Sequence, residues 1–461
     1  MGWPLGSVSW TVREASLDLN EIAYLERAVA HVLAGWLPKL PDMAVKVALG
    51  MQQYEMIDRA THLRSRLSGL LRAEAIELPI KGGLREVVKH LDASPDPGSL
   101  LAGLYGFLWP RLLELVQRYL ASADPLGDHP SLRIVTGLVS EVEAQLSWGQ
   151  TALQTMPPST KSTAFLEQLE ALWSARDSGA DLAPAEWLWS PLNRVPLAAR
   201  PAGLEHCKRG SLGLLAVDSI REVRDVGIFL HSDLDEEFTT LELMGRNSYE
   251  HPDMPWQFHL DMARQVSDEA RHAQSMLQLL EARGFRYGDF PISTGTYDGL
   301  YQFEPCPPGS RKELLWRMLI RQTFMEGLAL DSLARDIRRR TEAGHHDIAR
   351  ALDYILRDEV FHAGSGLRWS AYLLDGDRRA VLQERYESLT FYTTKAEAWR
   401  ASFVETHVEE AMAELMIIEE GKRRRGGKLP ERPLNRLGRQ QAGFSDEDIL
   451  QVLSWGYATE P

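Results

Sequence analysis

Asp268-Glu269-Ala270-Arg271-His272 and Asp358-Glu359-Val360-Phe361-His362 are one five-residue word, DExxH, written twice in a single chain. On an α-helix, positions three apart share a face, so each word aims a carboxylate and an imidazole in one direction. A glutamate precedes each word at nearly the same interval: Glu237 stands 32 residues before Glu269, and Glu326 stands 33 before Glu359. At about 1.5 Å of rise per residue, such an interval spans the rest of one helix, a short loop and the return half of an antiparallel partner. The pattern predicts two helical hairpins. Each offers one lone Glu and one Glu-x-x-His, a donor set suited to two metal ions inside a helical bundle.

A third Glu-x-x-His, Glu342 to His345, contains Gly344, lacks the preceding Asp and has no sister copy, so it reads as accidental. The two full words share one more feature, an acid five residues after each upstream glutamate: Glu242 after Glu237 and Asp331 after Glu326. Glu242 is therefore an alternative ligand to Glu237. Four carboxylates and two imidazoles suit Fe(II) or Mn(II) and disfavour thiophilic metals. With two ions bound, Glu269 and Glu359 would bridge, Glu237 and Glu326 would be terminal, and His272 and His362 would take one ion each. His231, His259 and His407 read as ordinary hydrogen-bonded or solvated histidines. Thr240, Leu241, Thr323 and Leu330, one turn from the ligands, are open between pocket lining and core packing.

Composition bounds the rest. At 461 residues, 44% hydrophobic and 25% charged, the chain is globular and long enough for more than one domain. Long stretches rich in Leu, Ala, Arg and Glu favour an all-α chain. A net charge of −14 argues against a general nucleic-acid or anionic-membrane binder. Cys207 and Cys306, far apart, indicate neither a disulfide framework nor a thiolate metal site. The opening Met1-Gly2-Trp3-Pro4-Leu5 has no basic region followed by an apolar run, and no stretch reads as a membrane span. The expectation is a soluble, cytoplasmic protein.

In chain order, residues 1–155 are expected to form a helical bundle without a metal site, with helices at about 19–36, 42–70, 98–122 and 129–155. Breaks are expected at Pro38 to Pro41, at Gly82-Gly83 with Ala93 to Gly98, and at Asp124-Pro125-Leu126-Gly127. Glu26, Glu55, Glu114 and Glu141 stand near ligand-like positions, but the residues three beyond Glu55 and Glu141 are Asp58 and Ala144. Residues 156–217 read as a proline-rich linker with one short helix near 164–176. The dimetal bundle is expected over 218–375, its second helix opening at Asp253-Met254-Pro255 and its third at the capping box Ser310 to Glu313. Residues 376–461 supply C-terminal helices and a tail in which Lys422-Arg423-Arg424-Arg425 reads as a solvated basic run.

Taken together, residues 218–375 resemble the ferritin-like di-iron carboxylate proteins. Within that group they look like a bacterial family of ferritin-like proteins related to the tRNA-modifying non-haem di-iron hydroxylases. The residues carrying the likeness are Glu237 to Glu242, Met254-Pro255, Asp268 to His272, Tyr287-Gly288-Asp289-Phe290-Pro291, Asp298-Gly299-Leu300, and Asp358 to His362 with Gly364 to Trp369. The resemblance implies a ferritin-like four-helix bundle in the C-terminal half, preceded by a second helical bundle that is either a degenerate ferritin-like copy or unrelated. It implies two Fe ions, or an Mn/Fe pair, with O2 as co-substrate. Asp268 and Asp358 are expected to hold the imidazole N–H of the opposite hairpin. The chain departs from the pattern at Asp235, where such families often carry a histidine, and in three extra residues between Pro291 and Asp298.

The function so implied is an O2-dependent non-haem di-iron oxygenase or oxidase that hydroxylates, desaturates or N-oxidises a small organic metabolite. An electron-donor protein or reductant is the expected partner, and a homodimer is allowed. The alternatives are a tRNA-modifying di-iron hydroxylase and a non-catalytic iron-handling or scaffold protein.

Overall fold

In a computed structural model of the chain, residues 10–71, 76–156, 159–189, 198–204, 223–406 and 434–454 are described. The helices are α1 (Val12–Trp36), α2 (Met43–Leu70), α3 (Gly82–Asp92), α4 (Pro97–Leu101), α5 (Trp109–Ser122), α6 (His129–Thr155), α7 (Ser162–Ser174), α8 (Val223–Glu250) and α9 (Trp256–Glu281). They continue as α10 (Gly295–Tyr301), α11 (Arg311–Arg317), α12 (Glu326–Glu342), α13 (His346–Leu373), α14 (Arg378–Thr406), α15 (Arg436–Gln441) and α16 (Asp446–Ser454). Among the described residues the one sheet pairs β1 (Ile80–Lys81) with β2 (Asp181–Leu182). The chain is mostly helical, as its composition leads one to expect.

Two compact units result: Met1–Val195 with Met244–Ser267, and Pro196–Leu243 with Asp268–Pro461. This differs from a division at 155, 217 and 375. The stretch after 155 is not simply a linker, because α7 buries Phe165, Leu169 and Trp173 and belongs to the first unit. The described C-terminal helices likewise belong to the second unit. There Leu434, Ala442, Phe444 and Ile449 form one core with Leu330 and Ala363.

In the first unit, α1 opens on a capping box, in which the Thr11 N–H donates to Glu14 Oε2 at 2.8 Å and the Glu14 N–H donates to Thr11 Oγ1 at 3.3 Å. A π segment, Ala102–Leu108, joins α4 to α5 in one continuous helix, Pro97–Ser122. It is the one helix among the described residues long and apolar enough to cross a membrane, and 72% of that window is buried. Packing inside the unit accounts for its apolar surface. Gly82-Gly83 is no break: it is the first turn of α3. A side chain on Gly83 would place its Cβ 2.4 Å from the Ala175 carbonyl oxygen, so the glycine is there to let α3 approach the chain leaving α7.

The polar centre of this unit is an arginine. Arg59 Nε and Nη2 donate to the two carboxylate oxygens of buried Glu26 at 2.9 and 2.8 Å, Nη1 donates to Glu141 at 3.1 Å, and Nη2 also reaches Gln145 at 3.3 Å. Gln145 in turn donates to Glu55 at 2.6 Å. Three of the four acids with ligand-like positions therefore gather, directly or through Gln145, around a fixed guanidinium.

In the second unit, α11, a π segment (Met318–Met325) and α12 form one continuous helix that turns at Gly344 (φ 81°) into α13. Ser310 caps it, accepting from the Glu313 N–H at 3.2 Å, while Glu313 Oε2 accepts from Gly309 N–H at 2.7 Å. Gly366, one turn beyond His362, lets α13 come against the π segment, since a Cβ there would lie 2.8 Å from Gln322 and from Thr323 Oγ1.

Replacing Arg59 by alanine strands the buried Glu26 charge and should destabilise the first unit by about 3–5 kcal/mol, measured from urea denaturation midpoints. The metal content of the protein should not change. A loss below about 1 kcal/mol would show that the guanidinium does not hold this core together.

Candidate metal centre

Four helical stretches place the candidate side chains. Glu237 lies on α8, Asp268 to His272 on α9, Arg321 and Glu326 at the junction of the π segment with α12, and Asp358 to His362 on α13. Five of the six expected ligands fall into two overlapping groups, Glu237 with Glu269 and His272, and Glu269 with Glu359 and His362. In each group the donor atoms lie within 4.8 Å of one another, and Glu269 belongs to both. Glu326 is in neither group. It lies against Glu359, whose carboxyl feels its charge, and its Oε1 is 3.5 Å from Arg321 Nε.

Nδ1 of His272 is 3.2 Å from Glu269 Oε2 and 3.3 Å from Glu237 Oε2. Nδ1 of His362 is 3.3 Å from Glu269 Oε1 and 3.3 Å from Glu359 Oε2. Two donors each about 2.1 Å from one ion and at right angles to it are about 3 Å apart, so these are spacings that a shared cation would bridge. Glu269, His272, Glu326, Glu359 and His362 are all buried, and Glu237 is partly so. His362 Nδ1 and Glu359 Oε2 have no hydrogen-bond partner although they face each other. A buried nitrogen and oxygen orphaned in this way are costly unless a cation shares them. The donor set therefore fits a pair of hard divalent ions.

The far nitrogens of the rings are held crosswise. His272 Nε2 lies 3.1 Å from Asp358 Oδ2, and His362 Nε2 lies 3.3 Å from Asp268 Oδ2. Arg271 spans the two aspartates, donating to Asp268 Oδ1 and, at 3.0 Å, to Asp358 Oδ2. Burial alone would raise both aspartates, but hydrogen bonds and charge from the opposite histidine prevail: Asp268 is held below its ordinary value and Asp358 is lowered to about 2. An ionised aspartate accepting from Nε2–H fixes the tautomer that, in the neutral ring, leaves Nδ1 free to bind a cation among the carboxylates. Arg271 was not singled out from the sequence, though it stands inside the first word.

Burial, against the opposing pull of His362 and His272, pushes the Glu269 carboxyl up to about 8, and burial with the charge of Glu326 pushes the Glu359 carboxyl up to about 7. Burial would lower the two imidazoles, yet the surrounding carboxylates outweigh it and raise both well above their usual value. Without metal, the centre holds protons.

Other candidates have separate partners. Glu242 is paired with Arg200 at 2.5 and 3.2 Å and lies outside both donor groups. Asp331 is paired with Arg439 at 2.6 Å and accepts from the Asn435 N–H at 2.7 Å. His231 Nε2 accepts from Gly288 N–H at 3.0 Å and its ring stacks on Tyr287, while His259 Nδ1 is 2.9 Å from Ser248 Oγ. Asp235 accepts from Tyr287 OH at 2.7 Å and Ser293 N–H at 2.8 Å, tying the Tyr287 to Pro291 segment to α8. Leu241 is buried, and Leu330 packs in the core built with the C-terminal helices. Thr323 donates to the Met318 carbonyl at 3.0 Å. Glu342 is exposed at the end of α12. His407, Cys207 and Lys422 to Arg425 lie outside the described residues.

A family model described as "Protein of unknown function (DUF455)" matches residues 161–450, more than half of the chain and all of the residues above that come from the second unit. No curated protein and no solved structure matches the chain.

Raised carboxyls and imidazoles mean that the folded, metal-free protein keeps protons that the unfolded chain has lost. Their contribution to stability is therefore full below the unfolded carboxyl value and is lost as pH rises through about 7 to 8. The thermal midpoint of chelator-treated protein should fall between pH 6 and 8.5, and Mn(II) should restore it with release of protons into a weak buffer. A metal-free midpoint that rises over this range would contradict the account.

Proposed function

The chain belongs to the DUF455 family of proteins of unknown function, and we propose that it is an O2-dependent non-haem di-iron oxygenase or oxidase acting on a small organic metabolite. In this reading residues 218–375 form a ferritin-like four-helix bundle around two metal ions. The observation that carries it is the crossed pair of imidazoles: each ring turns Nδ1 to Glu269 and rests Nε2 on the aspartate of the other DExxH word.

Glu237, Glu269, His272, Glu326, Glu359 and His362 would hold the ions, with Glu269 and Glu359 shared. Glu326 would exchange Arg321 for an ion. Four carboxylates balance two divalent cations, which lets such charges stay in a dry interior. When bound, two ferrous ions, or an Mn/Fe pair, supply the electrons and open coordination positions for O2 that amino-acid side chains lack.

The chain's own residues do the rest. Oxygen and imidazole donors select iron or manganese over thiophilic metals. Asp268 and Asp358 fix both rings and strengthen their donor nitrogens. Arg271 ties these two aspartates to each other, so a shift of one hairpin is felt by both rings. Burial of the donors keeps bulk water away from the oxidising centre, which favours hydroxylation, desaturation or N-oxidation of a bound metabolite over loss of oxidant to solvent. An electron-donor protein or a small reductant completes the cycle.

Anaerobic loading should give two ferrous ions per chain, and admission of O2 should give a transient visible absorption. Glu269→Ala should reduce the content to one ion or none, and Asp358→Asn should weaken metal affinity about 10–100-fold with the helical content unchanged. Protein that stays empty overturns the proposal. Growth of iron mineral beyond two ions per chain would replace it with an iron-handling role.

A further inference from the structure

Arg321 is a buried guanidinium placed at the rim of the donor cluster by an irregularity of the helix. In an α-helix, residues five apart point about 140° away from each other. In the π segment the Glu326 N–H donates to the Arg321 carbonyl, an i to i+5 bond that stacks the two residues on one face. Arg321 thereby sits beside a ligand, with Glu326, Glu236, Glu269 and Glu359 all acting on its charge.

Its hydrogen bonding falls short of what a guanidinium can make. The fork has five N–H donors. Nη2 donates to Thr240 Oγ1 and Nη1 approaches the Met325 sulfur at 3.6 Å, a weak acceptor. Nε has no hydrogen-bond partner, and its ion-pair contact with Glu326 is long at 3.5 Å. Glu236 is 3.6 Å from Nη1, but Thr296 holds it at 2.9 Å, and its side chain is 37% exposed against 11% for Arg321. Arg200 and Arg439 of the same unit each have a close carboxylate instead: Arg200 meets Glu242 at 2.5 and 3.2 Å, and Arg439 meets Asp331 at 2.6 Å.

We propose that Arg321 recognises the substrate, and that the substrate carries a carboxylate which takes the place of Glu236 on the guanidinium beside the metal centre. This rests on the dimetal reading. Once Glu326 turns to an ion, the fork keeps Thr240, the weak Met325 sulfur and the more exposed Glu236, and a planar carboxylate matches it with two parallel hydrogen bonds. Glu236 lies toward solvent, so it marks the direction from which the ligand arrives. The substrate class is thus a small organic acid, with the bond to be oxidised held next to the ions by its carboxylate.

The test is calorimetric titration of benzoate, and of uncharged benzamide, into cobalt(II)-loaded protein whose metal content is measured on the same samples. Benzoate should bind and benzamide should not. Arg321→Gln should weaken benzoate by about tenfold or more, with Arg321→Lys between it and the parent protein. Glu236→Gln should strengthen benzoate several-fold by removing the competing carboxylate, an outcome that a merely structural arginine would not produce. All variants should retain two ions and the parent's melting temperature within a few degrees. Two ions with benzoate affinity unchanged in Arg321→Gln overturns the carboxylate site alone, since benzoate then binds the ions by themselves. No benzoate binding at tens of millimolar by the parent protein also overturns it. Fewer than two ions in the parent protein overturns the dimetal reading and the carboxylate site with it.

Discussion

Buried carboxylates need a cation within reach, and both units of this protein are built around that requirement. A carboxylate taken out of water loses several kcal/mol of solvation unless positive charge or protons replace it. In the first unit the cation is covalent: the Arg59 guanidinium takes both oxygens of Glu26 and one of Glu141. In the second, Glu237, Glu269, Glu326 and Glu359 come together, with Arg321 3.5 Å from Glu326. Burial raises the Glu269 and Glu359 carboxyls, and both imidazoles are raised as well, so the metal-free centre favours its protonated forms, and two divalent ions would offset the negative charge more fully.

The two centres use related words. Asp58-Arg59-Ala60-Thr61-His62 reads like Asp268-Glu269-Ala270-Arg271-His272 with arginine in place of the shared glutamate, and Arg59 follows Glu26 by 33 residues, as Glu359 follows Glu326. Each unit also has a π segment in a long helix that comes after the hairpin and one shorter helix, Ala102–Leu108 in one and Met318–Met325 in the other. A π turn displaces the residues beyond it relative to an α register. In the second unit that displacement pairs Arg321 with Glu326. In the first unit a side chain thus stands among buried carboxylates, where the proposed function would place ions in the second.

Much of this was legible in the sequence because it depends on spacing. The doubled DExxH word and its paired glutamates predict which helices meet, since helical periodicity turns sequence interval into direction. The parts that escaped depend on exceptions to that periodicity. Arg321 is five residues from Glu326, which in an α register would point elsewhere, and the π segment has no signature in composition. Arg59 is hidden because Glu55, the acid that aligns with a ligand position, lies four residues before it, and Asp58 stands where that alignment asks for a histidine. Gly82-Gly83 reads as punctuation, yet here a missing Cβ serves contact between chain segments. Glu242 matched the spacing of a ligand, but its cation, Arg200, comes from a proline-rich stretch that periodicity does not place.

The central claim is that side chains from both DExxH words share one pair of ions. X-ray absorption fine structure of manganese- or iron-loaded protein tests it most directly. The account predicts oxygen and nitrogen neighbours only, about one imidazole per ion, and a metal–metal vector of about 3.5–4 Å. Sulfur in the coordination shell, or isolated ions with no metal neighbour, would contradict it.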